Sequence, residues 1–389
     1  MQDWKTFLLG DVCKTISETY KKNSENVVLI NTSDVLQGKI LNHSFVANKN
    51  LKGQFKKTFK KDDILFSEIR PINRRYAFVD FENTKNYIAS TKLMVLRVNQ
   101  EKILSKYFYY WITSEKILSE LQHLAETRSG TFPQITFDSE LANLQIKVPP
   151  LEVQKKIAAV LSSLDDKIEL NNKINKNLEQ QAQAIFDEFY KSADEKIFSL
   201  SSLDKIANYL NGLAMQKFRP AENEVGLPVL KIKELRQGFC DNTSDRCTEK
   251  IKSDFVVDDG DIIFSWSGTL LVDFWCGGKC GLNQHLFKVT SEKFGKWFYY
   301  LWTKKYLKSF QKSAADMATT MGHIKKENLS KSKVLIPDDE NYLKLENFLE
   351  PIFDKIINNR IENKKLAEMR DLLLPRLLNG EIDVSKVEG

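Results

Sequence analysis

The densest polar chemistry in the chain lies in one stretch, Ser67-Glu68-Ile69-Arg70-Pro71-Ile72-Asn73-Arg74-Arg75-Tyr76, set between two strand-like apolar runs. Arg70, Arg74 and Arg75 bring planar donor forks, Asn73 an amide, and Tyr76 a ring with a hydroxyl. That set suits bidentate contact with guanine edges and phosphates. The competing reading is a solvated turn. After a similar apolar run later in the chain stands Ser265-Trp266-Ser267-Gly268-Thr269, where Trp266, Ser267 and Thr269 are the corresponding candidates. A second kind of loop, Thr127-Arg128-Ser129-Gly130-Thr131-Phe132-Pro133-Gln134, puts Arg128, Thr131 and Gln134 ahead of a short element. Its counterpart is Thr319-Thr320-Met321-Gly322-His323 with Lys325-Lys326 beyond, giving Thr320, His323 and Lys325. Hydroxyls, amides and backbone N–H groups at the start of a short helix can hold phosphate. Lys56-Lys57 with Lys60-Lys61 reads either as a solvated face or as a phosphate rail.

The equipment of an enzyme is missing from the pattern. There is no G-x-x-x-x-G-K-[ST] phosphate loop and no G-x-G-x-x-G fingerprint. The four histidines, His43, His123, His285 and His323, have no metal-ligand spacing to one another. Asp63 with Glu68 and Arg70 could serve a nuclease, but the second copy has Trp266-Ser267-Gly268 there and no carboxylate. The Asp-rich pieces Lys61-Asp62-Asp63 and Asp258–Asp261 each open a strand after a turn, where Asp and Gly serve backbone geometry. Of the cysteines, Cys240, Cys247, Cys276 and Cys280 are spaced C-x6-C and C-x3-C, wider than structural zinc prefers. With Cys13 they read as free thiols of a reducing compartment. No catalytic residue, cofactor or metal is expected.

Composition supports a folded chain with polyanion affinity. Of 389 residues, 42% are apolar and 28% charged, an ordinary globular balance. The N-terminus has no basic region ahead of an apolar stretch, so a cytoplasmic protein is expected. Net charge is +6. Residues 1–150 hold 22 Lys/Arg against 16 Asp/Glu, and residues 191–340 hold 23 against 20. Both regions thus lean positive, as a polyanion met by both requires.

The elements that must position these loops repeat. Leu29–Gly38 matches Val229–Gly238, Lys61–Ser67 matches Asp259–Ser265, and Phe108-Tyr109-Tyr110 matches Phe298-Tyr299-Tyr300. Each copy reads as α+β. Strands are expected at Val27–Asn31, Asp63–Phe66, Ala77–Phe81 and Leu93–Val98, followed by a helix over Ser105–Leu124, a loop Glu126–Thr131 and an extended Leu144–Val148. The second copy gives Val229–Ile232, Asp261–Phe264, Leu286–Val289, a helix over Lys296–Gln311, a loop Ser313–Thr320 and an extended Ser332–Ile336.

Each copy leads into a long helix with coiled-coil spacing. The first seam reads Ile157, Leu161, Leu164, Ile168, Asn171, Asn175, Leu178, Ala182, Ile185, Phe189. The second begins 188 residues later: Leu345, Leu349, Ile352, Ile356, Asn359, Asn363, Leu366, Arg370, Leu373, Leu377. Asparagine stands at the same two places in both. An amide facing leucine is penalised unless it meets another amide, so an antiparallel pair with Asn171/Asn175 against Asn359/Asn363 is expected. Pro351 is expected to kink or restart the distal helix, Pro375 to end or bend it, and Gly380 to stop it. The organisation is then a unit over 1–150, a helix over 151–190, a second unit over 191–340, a helix over 341–380, and a frayed tail over 381–389.

The run Pro149-Pro150-Leu151-Glu152-x-Gln154-Lys155-Lys156-Ile157-Ala158, with Leu161, Leu164-Asp165-Asp166-Lys167-Ile168 and Asn171-Asn172, resembles the specificity subunit of type I restriction–modification systems. The DILFS and DIIFS strands and the Ser-Gly-Thr…Gln134-Ile135 loop are similar to pieces of its target recognition domains. The resemblance covers essentially the whole chain. It implies two target recognition domains, each reading half of a split site on double-stranded DNA, spaced by an antiparallel coiled coil. It also implies two adenine methyltransferase subunits docked on the helices and restriction–translocation subunits joining the complex. A seam of about 33 residues is roughly 50 Å long, enough to set two readers about one DNA turn, roughly 34–36 Å, apart. The alternatives are a stand-alone nuclease or methyltransferase with built-in recognition repeats, and a helical interaction protein without DNA.

Overall fold

The computed structural model describes residues 4–21, 24–49, 51, 53–128, 131–316 and 326–384. It divides into unit 1, residues 1–165 with 369–389, and unit 2, residues 166–368.

In unit 1, one four-stranded sheet has the order Val46–Ala47, Asn26–Ile30, Tyr87–Ser90, Phe55–Lys57. A second has the order Cys13–Thr15, Leu93–Val98, Ile64–Ser67, Tyr76–Phe78. In unit 2 the orders are Arg246–Cys247, Leu227–Leu230, Cys280–Leu282, Val256–Val257, and Asn208–Asn211, Leu286–Thr290, Ile262–Ser265, Leu271–Phe274. Strand for strand this is the same topology, down to the single parallel pair, Ile30 beside Ala89 and Leu230 beside Leu282.

The apolar runs explain the layering. Leu93–Val98 and Ile64–Ser67 are almost uniformly buried because both faces of their sheet are covered. Ile64, Phe66, Met94 and Leu96 face the helices, while Leu65, Leu93 and Val95 face the other sheet. Unit 2 alternates likewise: Ile262, Phe264 and Val289 pack towards the helices, Ile263 and Leu286 the other way. Each unit is therefore a sheet, a sheet and a helical layer.

Several boundaries differ from expectation. The helix over Ser105–Leu124 is two helices, Ser105–Ile112 and Glu115–Arg128. Thr113 Oγ1 donates to the Tyr109 carbonyl (2.7 Å) and Ser114 Oγ to that of Trp111 (2.7 Å). Such side chains compete with the helical ladder and let the chain turn. The expected loop after Glu126 is helical to Arg128, and the second-unit helix runs Lys296–Asp316, past Gln311.

A two-stranded sheet leads into each long helix: Lys5–Leu8 with Gln145–Val148, then the central helix Leu151–Ser192; and Phe198–Ser202 with Lys333–Pro337, then the distal helix Asp339–Leu378. The distal helix neither restarts at Pro351 nor ends at Pro375: it is continuous through both. Both prolines are exposed, as are Asn347 and Asp371 one turn earlier, so water can satisfy the carbonyls left without a donor. The stop comes at Gly380, whose φ of +74° suits a residue without Cβ. The tail then turns back: Val384 is 3% exposed within the unit 1 core, with Ile382 beside it.

Candidate nucleic-acid interface

In unit 1 the strand pair Ile64–Ser67 and Tyr76–Phe78 holds the arginine-rich loop as a hairpin. Pro71–Asn73 form a tight turn between two residues in left-handed backbone, Arg70 (φ 45°) and Arg74 (φ 54°). Such conformations persist only where surrounding contacts impose them. Here the loop is tied at Ile69 to Gln134, at Arg70 N to the Pro133 carbonyl (3.2 Å), and at the Glu68 carbonyl to Ile135 N (2.8 Å). The two loop types singled out from the sequence thus meet in one place.

The side chains divide sharply. Arg70 and Asn73 are exposed, and among the described residues neither side chain has a hydrogen bond or ion pair. Arg74 pairs with Glu115. Arg75 donates to the carbonyls of Ser33 (3.1 Å) and Val35 (3.5 Å), pinning a neighbouring turn. Tyr76, expected as a DNA contact, is a core residue: it is 5% exposed and stacked on Phe66. Burial pushes its hydroxyl above the ordinary value.

In the Thr127–Gln134 loop, whose Ser129 and Gly130 lie outside the described residues, the arginine is likewise engaged within the chain. Arg128 donates to Glu140 (3.1 Å) and Thr136. The Glu140 carboxylate also accepts from the backbone N–H of Thr136 (2.6 Å), so the chain's own anion already occupies that turn. Thr131 is exposed, and Gln134 Oε1 lies 3.5 Å from Lys92 Nζ. Lys57 turns inward, its ammonium on the carbonyls of Thr91 (3.0 Å) and Leu93 (2.9 Å), and burial lowers its pKa.

Asp63, Glu68 and Arg70 do not assemble as a catalytic group. Asp63 is buried in a two-pronged pair with Arg97, both contacts 2.7 Å. Glu68 lies between Lys57 (4.0 Å) and Lys92 (3.6 Å), and Arg70 is exposed with no ion pair to Asp63 or Glu68 among the described residues. Among the described residues no group of three or more His, Cys, Asp or Glu is arranged to hold a metal ion.

The unit 2 hairpin joins Ile262–Ser265 to Leu271–Phe274. Gly268, φ +63°, makes the tight turn possible. Trp266 lies flat on Phe287, centroids 5.7 Å apart, and its indole N–H donates to Asn211 (3.0 Å). Ser267 is buried with its hydroxyl 3.0 Å from His285 Nδ1, and Thr269 is exposed. Thr320, His323 and Lys325 lie outside the described residues. Lys92 and His285, neither of them among the expected DNA contacts, stand at equivalent places: each immediately precedes a sheet strand, Leu93–Val98 or Leu286–Thr290.

The long helices pack antiparallel. In unit 2, Asn171 Nδ2 donates to Asn363 Oδ1 (2.8 Å) and to Glu362 (2.8 Å), and Asn359 Nδ2 donates to Asn175 Oδ1 (2.8 Å). Asn363 in turn donates to Asn172 (2.9 Å). Leu349 and Ile356 are buried there, with Leu178 and Ile352 packed against the same core; Ile168 and Leu366 are half-buried. Phe186 and Phe353, outside the expected seam, are the larger buried anchors. In unit 1, Leu161 and Ile157 share a core with Leu377, Leu164 is half-buried, and Arg370 pairs with Asp165 (2.8 Å). Gln154, in the run after the paired prolines, is fully buried. It donates to the carbonyls of Lys102 (3.1 Å) and Pro149 (2.8 Å) and accepts from Leu104 N (2.8 Å).

Comparison with known proteins agrees along the whole chain. A family model described as "Type I restriction modification DNA specificity domain" matches residues 1–180 and again 196–368. The chain is 31% identical to the type I restriction enzyme HindI specificity subunit of Haemophilus influenzae, covering 98% of this chain and 100% of that one. It is 27% identical to the MjaIX specificity subunit of Methanocaldococcus jannaschii, covering 88% and 82%. Among solved structures, the S subunit of a type I restriction–modification system from M. genitalium shares the fold at a TM-score of 0.53, with 15% identity and 96% of each chain covered.

Proposed function

The chain belongs to the type I restriction–modification DNA specificity family, as a specificity subunit, and from that premise we propose that it reads one bipartite, asymmetric site on double-stranded DNA. Residues 1–150 and 191–340 act as the two target recognition domains. The observation that carries the reading is the pairing of one repeated topology with unlike loops. The same hairpin presents Arg70 and Asn73 in unit 1, and Trp266 and Thr269 in unit 2. A repeated scaffold with different donors suits two half-sites of different sequence. Arg and Asn are the side chains best matched to guanine and adenine edges.

The chain performs no chemistry itself. Two DNA methyltransferase subunits dock on the paired helices, and restriction–translocation subunits join through that complex, in the cytoplasm. Methylation of an adenine within a duplex requires its extrusion, which falls to the partner while this chain grips both flanks.

Titration of labelled duplex DNA with purified chain over a series of salt concentrations tests the binding. Phosphate contacts give a steep fall of affinity with salt; binding that ignores salt, or no binding with partners added, contradicts the proposal. Cutting or methyl transfer by the chain alone, supplied with magnesium or a methyl donor, would favour the stand-alone enzyme instead.

A further inference from the structure

The strand that follows Lys92 in unit 1 and His285 in unit 2 is the same strand of the repeated sheet. Leu93 pairs with Ser67, and Leu286 with Ser265. The turn before it is built alike in both units. The Lys92 N–H donates to Ser90 Oγ (3.3 Å), and the His285 N–H to Asn283 Oδ1 (3.2 Å). Each turn is also tied to the first residue of the hairpin loop. Glu68 N donates to the Lys92 carbonyl (3.1 Å), and Trp266 N to the His285 carbonyl (3.4 Å). Backbone and support are thus the same, while the side chain at the position differs.

We infer that this turn is a second DNA-contacting element beside the hairpin, with Lys92 and His285 as its contacting residues. The inference rests on the proposed function, since it needs the hairpins to face DNA. Three observations carry it. First, the hairpin of unit 1 has fewer available cations than its sequence offers, because Arg74 and Arg75 are held by Glu115 and by backbone carbonyls. Second, of the two lysines beside Glu68, Lys92 is the one an outside partner can reach: its side chain is 49% exposed against 14% for Lys57. Third, the unit 2 hairpin, Trp266 to Leu270, has no cationic side chain. There His285 sits beside Trp266, its Nδ1 3.0 Å from the Ser267 hydroxyl and its Nε2 3.4 Å from the Gln284 amide nitrogen, so the turn sets an imidazole and an amide next to a hairpin without a cation. Lys92 acts as a point charge on a phosphate; His285 donates within the second half-site. Lys57 is a positioning residue, gripping the carbonyls on either side of Lys92.

The test uses the full chain copurified with its methyltransferase partners and a duplex carrying the target identified by methylation sequencing. Lys92→Gln is expected to weaken binding about tenfold and lower the salt slope by about 0.9, with Lys92→Arg restoring both. His285→Ala is expected to cut the preference for the intact target over one with a scrambled second half-site by about tenfold, one contact's worth of discrimination. His285→Gln should recover part of it. Arg70→Ala serves as the reference for the hairpin. If Arg70→Ala weakens binding while Lys92→Gln and His285→Ala, melting like the unaltered chain, leave affinity, slope and preference unchanged, the inference falls and the proposed function stands. If the unaltered complex prefers no target, both fall.

Discussion

An arginine's neighbours decide its work more than its type does. Arg70, Arg74 and Arg75 occupy one loop, yet of the three only Arg70 is without a partner among the described residues. Arg70→Ala is expected to lower DNA affinity by about 1–3 kcal/mol without changing the melting temperature. Tyr76→Ala should do the opposite, costing about 3–5 kcal/mol of stability as a buried aromatic. Thermal unfolding and DNA titration of the two variants separate the roles, and a Tyr76 variant that melts normally but fails to bind would restore the ring to the interface. The loops themselves were legible from residue types and from the repeat. The assignment within them was not, because the deciding partners, Glu115, Glu140 and Ser33, are distant in sequence and show no periodicity. The thiols give a second prediction at this scale. Cys13 is pushed by burial to about 12 and Cys276 to about 11, and burial also raises Cys247 and Cys280. Cys240 is half-buried, and its hydrogen bond with Cys280 lowers its value. Brief alkylation near neutral pH followed by peptide mapping should find label on Cys240 first; faster labelling of Cys13 or Cys276 would contradict this packing.

The long helices were the most readable elements, since a heptad seam is periodic over many turns. Their amides meet as the spacing implied, Asn171 with Asn363 and Asn175 with Asn359. What periodicity cannot register is a local event. The break at Thr113-Ser114 depends on two side chains bonding backward, and the passage of the helix through Pro351 and Pro375 depends on which face the rings occupy. Asn175 and Asn359 are both buried, so replacing one leaves an amide without its partner. Asn175→Leu alone is expected to cost about 1–3 kcal/mol, and adding Asn359→Leu to recover most of it. Denaturant unfolding of the two variants checks this. A double variant that loses about twice what the single variant loses would mean that the amides contribute independently. The double variant should also loosen the pairing register, which a polar layer specifies at some cost in stability.

At the scale of the molecule, duplication is the governing fact. Two copies of one sheet order, each followed by a helix with asparagines at matching positions, could be recognised from the sequence because repeated blocks keep their order while their loops diverge. The three-layer arrangement inside each unit was less visible: a strand such as Leu93–Val98, buried on both faces, reads only as an apolar run. The return of Val384 into the unit 1 core was invisible for a similar reason, since a short tail carries no pattern of its own. The central claim, two unlike readers on one chain, meets its most direct test in methylation sequencing of cells carrying the unaltered chain or the Arg70→Ala, Asn73→Ala variant. The account predicts a motif of two short unlike halves around a gap of fixed length, with base preference altered in one half alone. A single uninterrupted motif, or a variant that changes both halves together, would contradict it.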